Sequence, residues 1–165
     1  MNYMKITKCD IANGPGCRIT LWVSGCEHRC LRCHNPETWP MTAGKPFTEQ
    51  TMQTILDLSA PYYISGLTFS GGDPLHPENY STVMTIAKIF KEKFPDKTIW
   101  LWTGYLWEEI KCLYGIQNID VLVDGEFVES LKDLSLKWRG SSNQRVIDVK
   151  KSIESNEIVL YKENQ

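Results

Sequence analysis

Three cysteines stand within eight residues, at Cys26, Cys30 and Cys33. Thiolates are soft donors suited to iron and zinc, and the spacing Cys-x-x-x-Cys-x-x-Cys brings three of them into one compact loop. Such a loop holds three corners of a cubane [4Fe-4S] cluster and leaves one iron without a protein ligand. The vacancy is informative, because clusters that serve only electron transfer or structure normally take four cysteines, whereas an open iron can bind a substrate. A competing reading is a zinc site that completes a Cys3His set with His28 or His34. Against it, the chain has no second Cys-x-x-Cys or His pair to close the far side of such a site. A third reading is disulfide or buried-thiol chemistry, since the six cysteines make an even number. In a reducing compartment the clustering favours metal over cross-links, and the isolated Cys9, Cys17 and Cys112 read as buried thiols.

A second group of residues sits where strands should end. Ser70-Gly71-Gly72-Asp73-Pro74 must be a turn, because two glycines precede a residue restricted by the following proline. Asp124 and Tyr105 also follow expected strands and could face the same cavity, the alternative for Asp124-Gly125 being only a tight turn. Arg18 reads as a solvated arginine, and His28 as a histidine that orders the cysteine loop. Asn35, Trp39 and Trp102 read as packing residues.

The elements that must position these groups alternate. Arg18 to Val23 is a short β-rich run that ends in Ser24-Gly25 and delivers the cysteine loop over 24–39. Thr48 is expected to cap a helix to about Ser59, with Glu49 complementing its dipole and Met52, Ile55, Leu56 and Leu58 fitting one helical face only loosely. Gly66 to Phe69 reads as a buried strand. Pro77 opens a helix to about Phe94 with Val83, Ile86, Ala87, Ile89 and Phe90 in a stripe. Strand Thr98–Trp102, helix Tyr105–Leu113 and strand Val121–Val123 follow, and Gln144–Val149 and Ile158–Tyr161 read as further strands of undecided sheet. This alternation predicts an α/β fold: a single domain over 1–165 whose mostly parallel sheet, of about five or six strands, is open or curls as a partial (β/α) barrel.

Composition narrows the function. A net charge of -2 with interspersed signs offers no basic footprint, so neither nucleic acid nor an anionic membrane is an expected partner. The first twelve residues lack a signal-peptide core and no stretch reaches the ~20 apolar residues of a membrane span, so a cytoplasmic protein is expected. No segment repeats at a fixed period.

The run Cys26-Glu27-His28-Arg29-Cys30-Leu31-Arg32-Cys33-His34-Asn35-Pro36-Glu37-Thr38-Trp39 resembles the three-cysteine signature of the radical S-adenosylmethionine superfamily. The resemblance extends through Asn13-Gly14-Pro15-Gly16-Cys17-Arg18, Ser70 to Pro74, Trp102-Thr103-Gly104-Tyr105, Val121-Leu122-Val123-Asp124-Gly125 and Arg139 to Asp148. Over that length the chain is similar to the glycyl-radical activases that serve anaerobic ribonucleoside-triphosphate reductase. The resemblance implies that S-adenosylmethionine chelates the open iron through its amine and carboxylate, with the backbone of Ser70, Gly71, Gly72 and Asp73 reaching the amino group. Tyr105 and Asp124, from their place after expected strands, are the residues expected to contact the ribose or the methionine. The superfamily commonly places an aromatic residue before the third cysteine, near the adenine. Arg32 stands there instead, so only its backbone is expected to touch the base.

The implied chemistry is one-electron cleavage of the sulfonium to methionine and a 5′-deoxyadenosyl radical, which takes a hydrogen atom from a glycine of the large reductase subunit. A flavodoxin or ferredoxin type donor is implied, because the chain has no second cluster motif. Rival readings are activation of another glycyl-radical enzyme, of the pyruvate formate-lyase type, and a non-catalytic zinc-binding module.

Overall fold

The computed structural model describes residues 1–162, so residues 163–165 of the expected 1–165 domain lie outside the described residues. In chain order the elements are β1 (Asn2–Asp10), β2 (Cys17–Val23), β3 (Lys45–Pro46), α1 (Glu49–Ser59), β4 (Ile64–Gly71), α2 (Pro77–Lys93), β5 (Thr98–Trp102), α3 (Trp107–Ile110), β6 (Val121–Asp124), β7 (Arg145–Asp148) and α4 (Val149–Ser155). All seven strands form one sheet in the order β3-β1-β2-β4-β5-β6-β7.

The four central strands, β2, β4, β5 and β6, are parallel neighbours. β1, β3 and β7 extend both sides antiparallel. The fold is therefore α/β, with seven strands rather than five or six and with antiparallel flanks on a parallel centre. The sheet is open, with β3 and β7 as its two edges.

Alternation along the strands separates two faces. Ile19, Leu21 and Val23 of β2, Leu67 and Phe69 of β4, Ile99 and Leu101 of β5, and Leu122 of β6 share one apolar core. Ile55 and Leu56 of α1 join it, as do Val83, Met84, Ile86, Ala87 and Phe90 of α2. The opposite face carries Arg18, Thr20, Thr68 and Ser70 together with a Trp100, Val121 and Val123 cluster. It is the face on which a site can be built, because its residues bring hydrogen-bonding groups.

Helix ends follow local chemistry. Thr48 caps α1 as expected: its hydroxyl accepts from the Thr51 amide at 3.3 Å, and the Thr51 hydroxyl accepts from the Thr48 amide at 3.3 Å. α2 begins at Pro77 behind His76, whose Nδ1 accepts from the Glu78 amide at 3.2 Å. α3 is one turn long rather than the expected span from Tyr105 to Leu113. Its first amide, on Trp107, is bound at 2.8 Å by Asp124, and Gly115 at φ 92° then turns the chain.

β7 stops at Asp148, which caps α4, so Val149 opens a helix instead of closing a strand. The expected strand Ile158–Tyr161 is reduced to a single bridge between Ile147 and Leu160. β1 was not anticipated; its irregular pairing with β2 between Tyr3 and Lys5 and between Thr7 and Asp10 breaks the two-residue period.

None of the three cysteines read as buried thiols is one. Cys9 and Cys17 face each other across the β1–β2 pair, 5.0 Å apart at Cα, and form a disulfide. Cys112 is an exposed thiol.

Candidate functional site

The parallel strands β2, β4, β5 and β6 end on the same side of the sheet, so the loops leaving them must gather there. They surround a cavity of about 540 Å³. The β2 loop contributes Cys26, Cys30 and Cys33, the β4 loop Ser70 to Asp73, the β5 loop Thr103 and Gly104, and the β6 loop Gly125 to Phe127. Trp22, Trp102 and Trp138 also line it, with the Trp102 indole N–H donating to the Trp138 carbonyl at 2.9 Å.

The three cysteines are free and half-buried. Asn35 donates its backbone N–H to the Cys33 sulfur at 3.4 Å, and the backbone N–H groups of His28 and Arg29 favour the thiolate of Cys26, as that of Phe127 favours Cys30. Such donors suit anionic sulfurs, and hydrogen bonds to sulfur are one of the levers that set a cluster's potential. Burial pushes the Cys26 thiol up to about 11, with the Asp73 carboxylate adding to the effect, and burial raises Cys30 as well. Iron binding must therefore displace these protons, as a coordinated thiol requires.

Among the described residues, no three His, Cys, Asp or Glu side chains converge on one point as ligands of a single ion. A cubane asks something different, since each thiolate binds its own iron. The thiols, their cavity and their N–H donors fit a [4Fe-4S] cluster held by Cys26, Cys30 and Cys33.

The glycines of the β4 loop have a structural reason that sequence reading did not supply. Gly71 has φ 104°, and a Cβ there would lie 2.7 Å from the Val23 carbonyl oxygen. At Gly72 it would lie 2.5 Å from that of Gly25. The Gly72 and Asp73 amides donate to the Val23 and Gly25 carbonyls at 2.8 and 2.7 Å. The β4 loop is thus laid backbone to backbone against the start of the cysteine loop, an approach that only glycine permits.

Asp73 is 2% exposed, and its carboxylate is fully engaged. Oδ1 accepts from the Leu75 amide at 2.8 Å and the Thr103 hydroxyl at 2.9 Å. Oδ2 accepts from the Gly104 amide at 2.9 Å and faces His28 Nε2 at 2.8 Å. His28 Nδ1 in turn faces Glu126 Oε1 at 2.8 Å. Since carboxylates only accept, the imidazole carries both protons, and hydrogen bonding to Asp73, then to Glu126, raises it to about 9 against the opposing effect of burial.

The other expected residues are placed differently. Tyr105 sets its ring edge against His28, 4.7 Å between centroids, and is not among the cavity walls. Asp124 is completely buried, bound to the Trp107 amide and to the Arg145 guanidinium. Arg145 also grips Glu108 with bonds of 3.0 and 2.8 Å, which ties β7 to α3. The Arg32 side chain points outward to Glu129 at 3.4 Å, while its backbone is held at φ 57°. Arg18 is buried rather than solvated, donating to Thr68 at 2.8 Å and to the Leu67 and Thr98 carbonyls at 2.9 and 2.8 Å.

Thr103 and Gly104 stand in the sequence reading only as part of the Trp102 to Tyr105 motif, with no role of their own, and Glu126 and Phe127 are not singled out there. The available signal was their place immediately after the expected strands at Trp102 and Val123.

An α/β sheet that presents three free cysteines at its parallel strand ends defines a single-cluster iron–sulfur domain, and the family model described as 4Fe-4S single cluster domain matches residues 12–147. The chain is 45% identical over 146 residues to the anaerobic ribonucleoside-triphosphate reductase-activating protein of Enterobacteria phage T4, covering 88% of this chain and 93% of that one. The protein of the same name from Escherichia coli K12 is 45% identical over 150 residues, 88% of this chain and 97% of the relative. That from Vibrio cholerae is 44% identical over 148 residues, 87% and 96% respectively. The chain belongs to the family of anaerobic ribonucleoside-triphosphate reductase-activating proteins.

Proposed function

We propose that the chain is a radical S-adenosylmethionine activase that generates a glycyl radical on the large subunit of an anaerobic ribonucleoside-triphosphate reductase. The observation that carries this reading is the meeting of three free, N–H-bonded thiols with the β4, β5 and β6 loops around one cavity. When bound, the reduced cluster supplies one electron for cleavage of S-adenosylmethionine, from which a hydrogen-abstracting fragment is released.

The chain's own residues divide the remaining work. Cys26, Cys30 and Cys33 bind the cluster. Ser70, Gly71, Gly72 and Asp73 supply the wall for the cofactor's amino group, through backbone rather than through the engaged Asp73 carboxylate. The backbone of Arg32 lies on the adenine side, with Tyr105 and Asp124 supporting the ribose side from behind the wall. Trp22, Trp102 and Trp138 exclude water, which a site of this kind requires.

A single domain over 1–165, a sheet that curves as a partial barrel while its edges stay open, and a cytoplasmic place of action accord with this reading. No helix among the described residues is long and apolar enough to cross a membrane. An outside one-electron donor of the flavodoxin or ferredoxin type completes the reaction.

The test is anaerobic reconstitution followed by reduction with S-adenosylmethionine present. About four irons per chain, reductant-dependent 5′-deoxyadenosine and a glycyl-radical signal on the reductase are expected. Cys30→Ala should abolish all three while leaving the fold intact. One tightly bound zinc and no cleavage would sink the proposal.

A further inference from the structure

The cysteine loop is poorly restrained by its own backbone. Residues 27–33 contain no helix or strand, and both Arg29 and Arg32 sit in the left-handed region, at φ 49° and 57°. Non-glycine residues pay for such angles and keep them only where surroundings over-determine them. The restraint must therefore come from outside the loop.

His28 supplies it. The residue lies between Cys26 and Cys30, and both of its ring nitrogens are engaged. Nε2 meets Asp73 at 2.8 Å, Nδ1 meets Glu126 at 2.8 Å, and Tyr105 abuts the ring 4.7 Å away between centroids. Gly104 lies so close beneath that a Cβ there would come within 2.5 Å of His28 Cδ2. One side chain thus ties the cysteine loop to the loops after β4, β5 and β6. The two carboxylates differ: Asp73 is 2% exposed and anchored by Leu75, Thr103 and Gly104, whereas the Glu126 side chain is 54% exposed.

We propose that His28 is a positioning residue that locks the cysteine loop onto the Gly71-Gly72-Asp73 loop through Asp73, and so sets the cluster against the cofactor's amino-group wall. The proposal rests on the functional reading above. It goes further in assigning the spacing between cluster and cofactor to one histidine that binds neither. Asp73 is then conscripted as the fixed end of the latch, which explains why its carboxylate has no capacity left for a ligand.

The isosteric pair of amide substitutions distinguishes the two ends. His28→Gln places an amide N–H near the Nε2 position and keeps the Asp73 bond, whereas His28→Asn places one near Nδ1 and keeps only the Glu126 bond. Wild type, His28→Ala, His28→Gln and His28→Asn are reconstituted without oxygen. Iron per chain and the electron paramagnetic resonance spectrum of the reduced cluster are recorded as S-adenosylmethionine is titrated in.

All four should take up similar iron. The spectral change on adding S-adenosylmethionine should need at least about tenfold more cofactor in the Ala and Asn variants, with the Gln variant close to wild type. Equal responses in all four overturn the latch, and so does equal loss of iron in the three variants, which would make His28 only part of the cluster seat. If wild type itself shows no spectral response, the functional reading fails instead. The latch is then judged on the metal-free chain, where amide exchange over residues 26–34 should quicken about tenfold in His28→Ala and not in His28→Gln. Unchanged exchange overturns it.

Discussion

On the helix-covered face of the sheet, Ile19, Leu21, Leu67, Phe69, Ile99, Leu101 and Leu122 are all fully buried against apolar partners. On the other face the same strands bury Arg18, Thr20, Thr68 and Ser70, each of them a group that water would otherwise bind. The first face gains from removed apolar area, which is indifferent to direction. The second depends on directed hydrogen bonds: Arg18 bridges β2, β4 and β5, and Asp10 accepts from Ala12, Asn13 and Thr20 to pin the loop that covers it. Packing alone would have closed that face. Polar groups satisfied by loops instead of helices leave it open enough to hold a cavity at its strand ends.

If this division is right, substitutions should separate stability from chemistry. The largest stability effect belongs to the packed face: Phe69→Ala should cost about 3–5 kcal/mol in urea denaturation, while cleavage per folded molecule stays near wild type. Arg18→Met comes next. It leaves the buried Leu67 and Thr98 carbonyls without their donor and should cost about 2–3 kcal/mol by the same measurement. A cost near zero would show that the open face is not built on these bonds.

Thr48→Ala removes the cap of α1, far from the cavity, and should cost about 1 kcal/mol with no change in iron uptake. The smallest stability change is expected for Cys30→Ala in the metal-free chain, within about 0.5 kcal/mol, although the same variant should lose S-adenosylmethionine cleavage altogether. A large destabilisation there would mean that the cysteine loop helps hold the fold, and the contrast between faces would blur.

Local signals were read well where they were local. The Thr48 cap, the Pro77 start of α2 and the strand Thr98–Trp102 each rest on a few adjacent residues, and each stands in the structure. β1 was missed because its register breaks interrupt alternation. α3 was drawn too long because its length is decided by Asp124, 17 residues beyond Trp107. The Gly71-Gly72 pair was recognised as special, but its reason, the backbone of Val23 and Gly25 pressed against it, belongs to a different loop. Likewise the pairing of Cys9 with Cys17 depends on two strands lying side by side.

The chain's own order of residues determined the clustering of three cysteines, the alternation of strand and helix, and the placement of four candidate loops after four strands. These are properties of short windows, where residue type and period act directly on backbone preference. Which loops touch was decided only in three dimensions. His28 meets Asp73 across 45 positions and Glu126 across 98, and no local pattern carries that information. It arises because parallel strands must all end on one side of their sheet, so residues far apart in the chain are delivered to a common place.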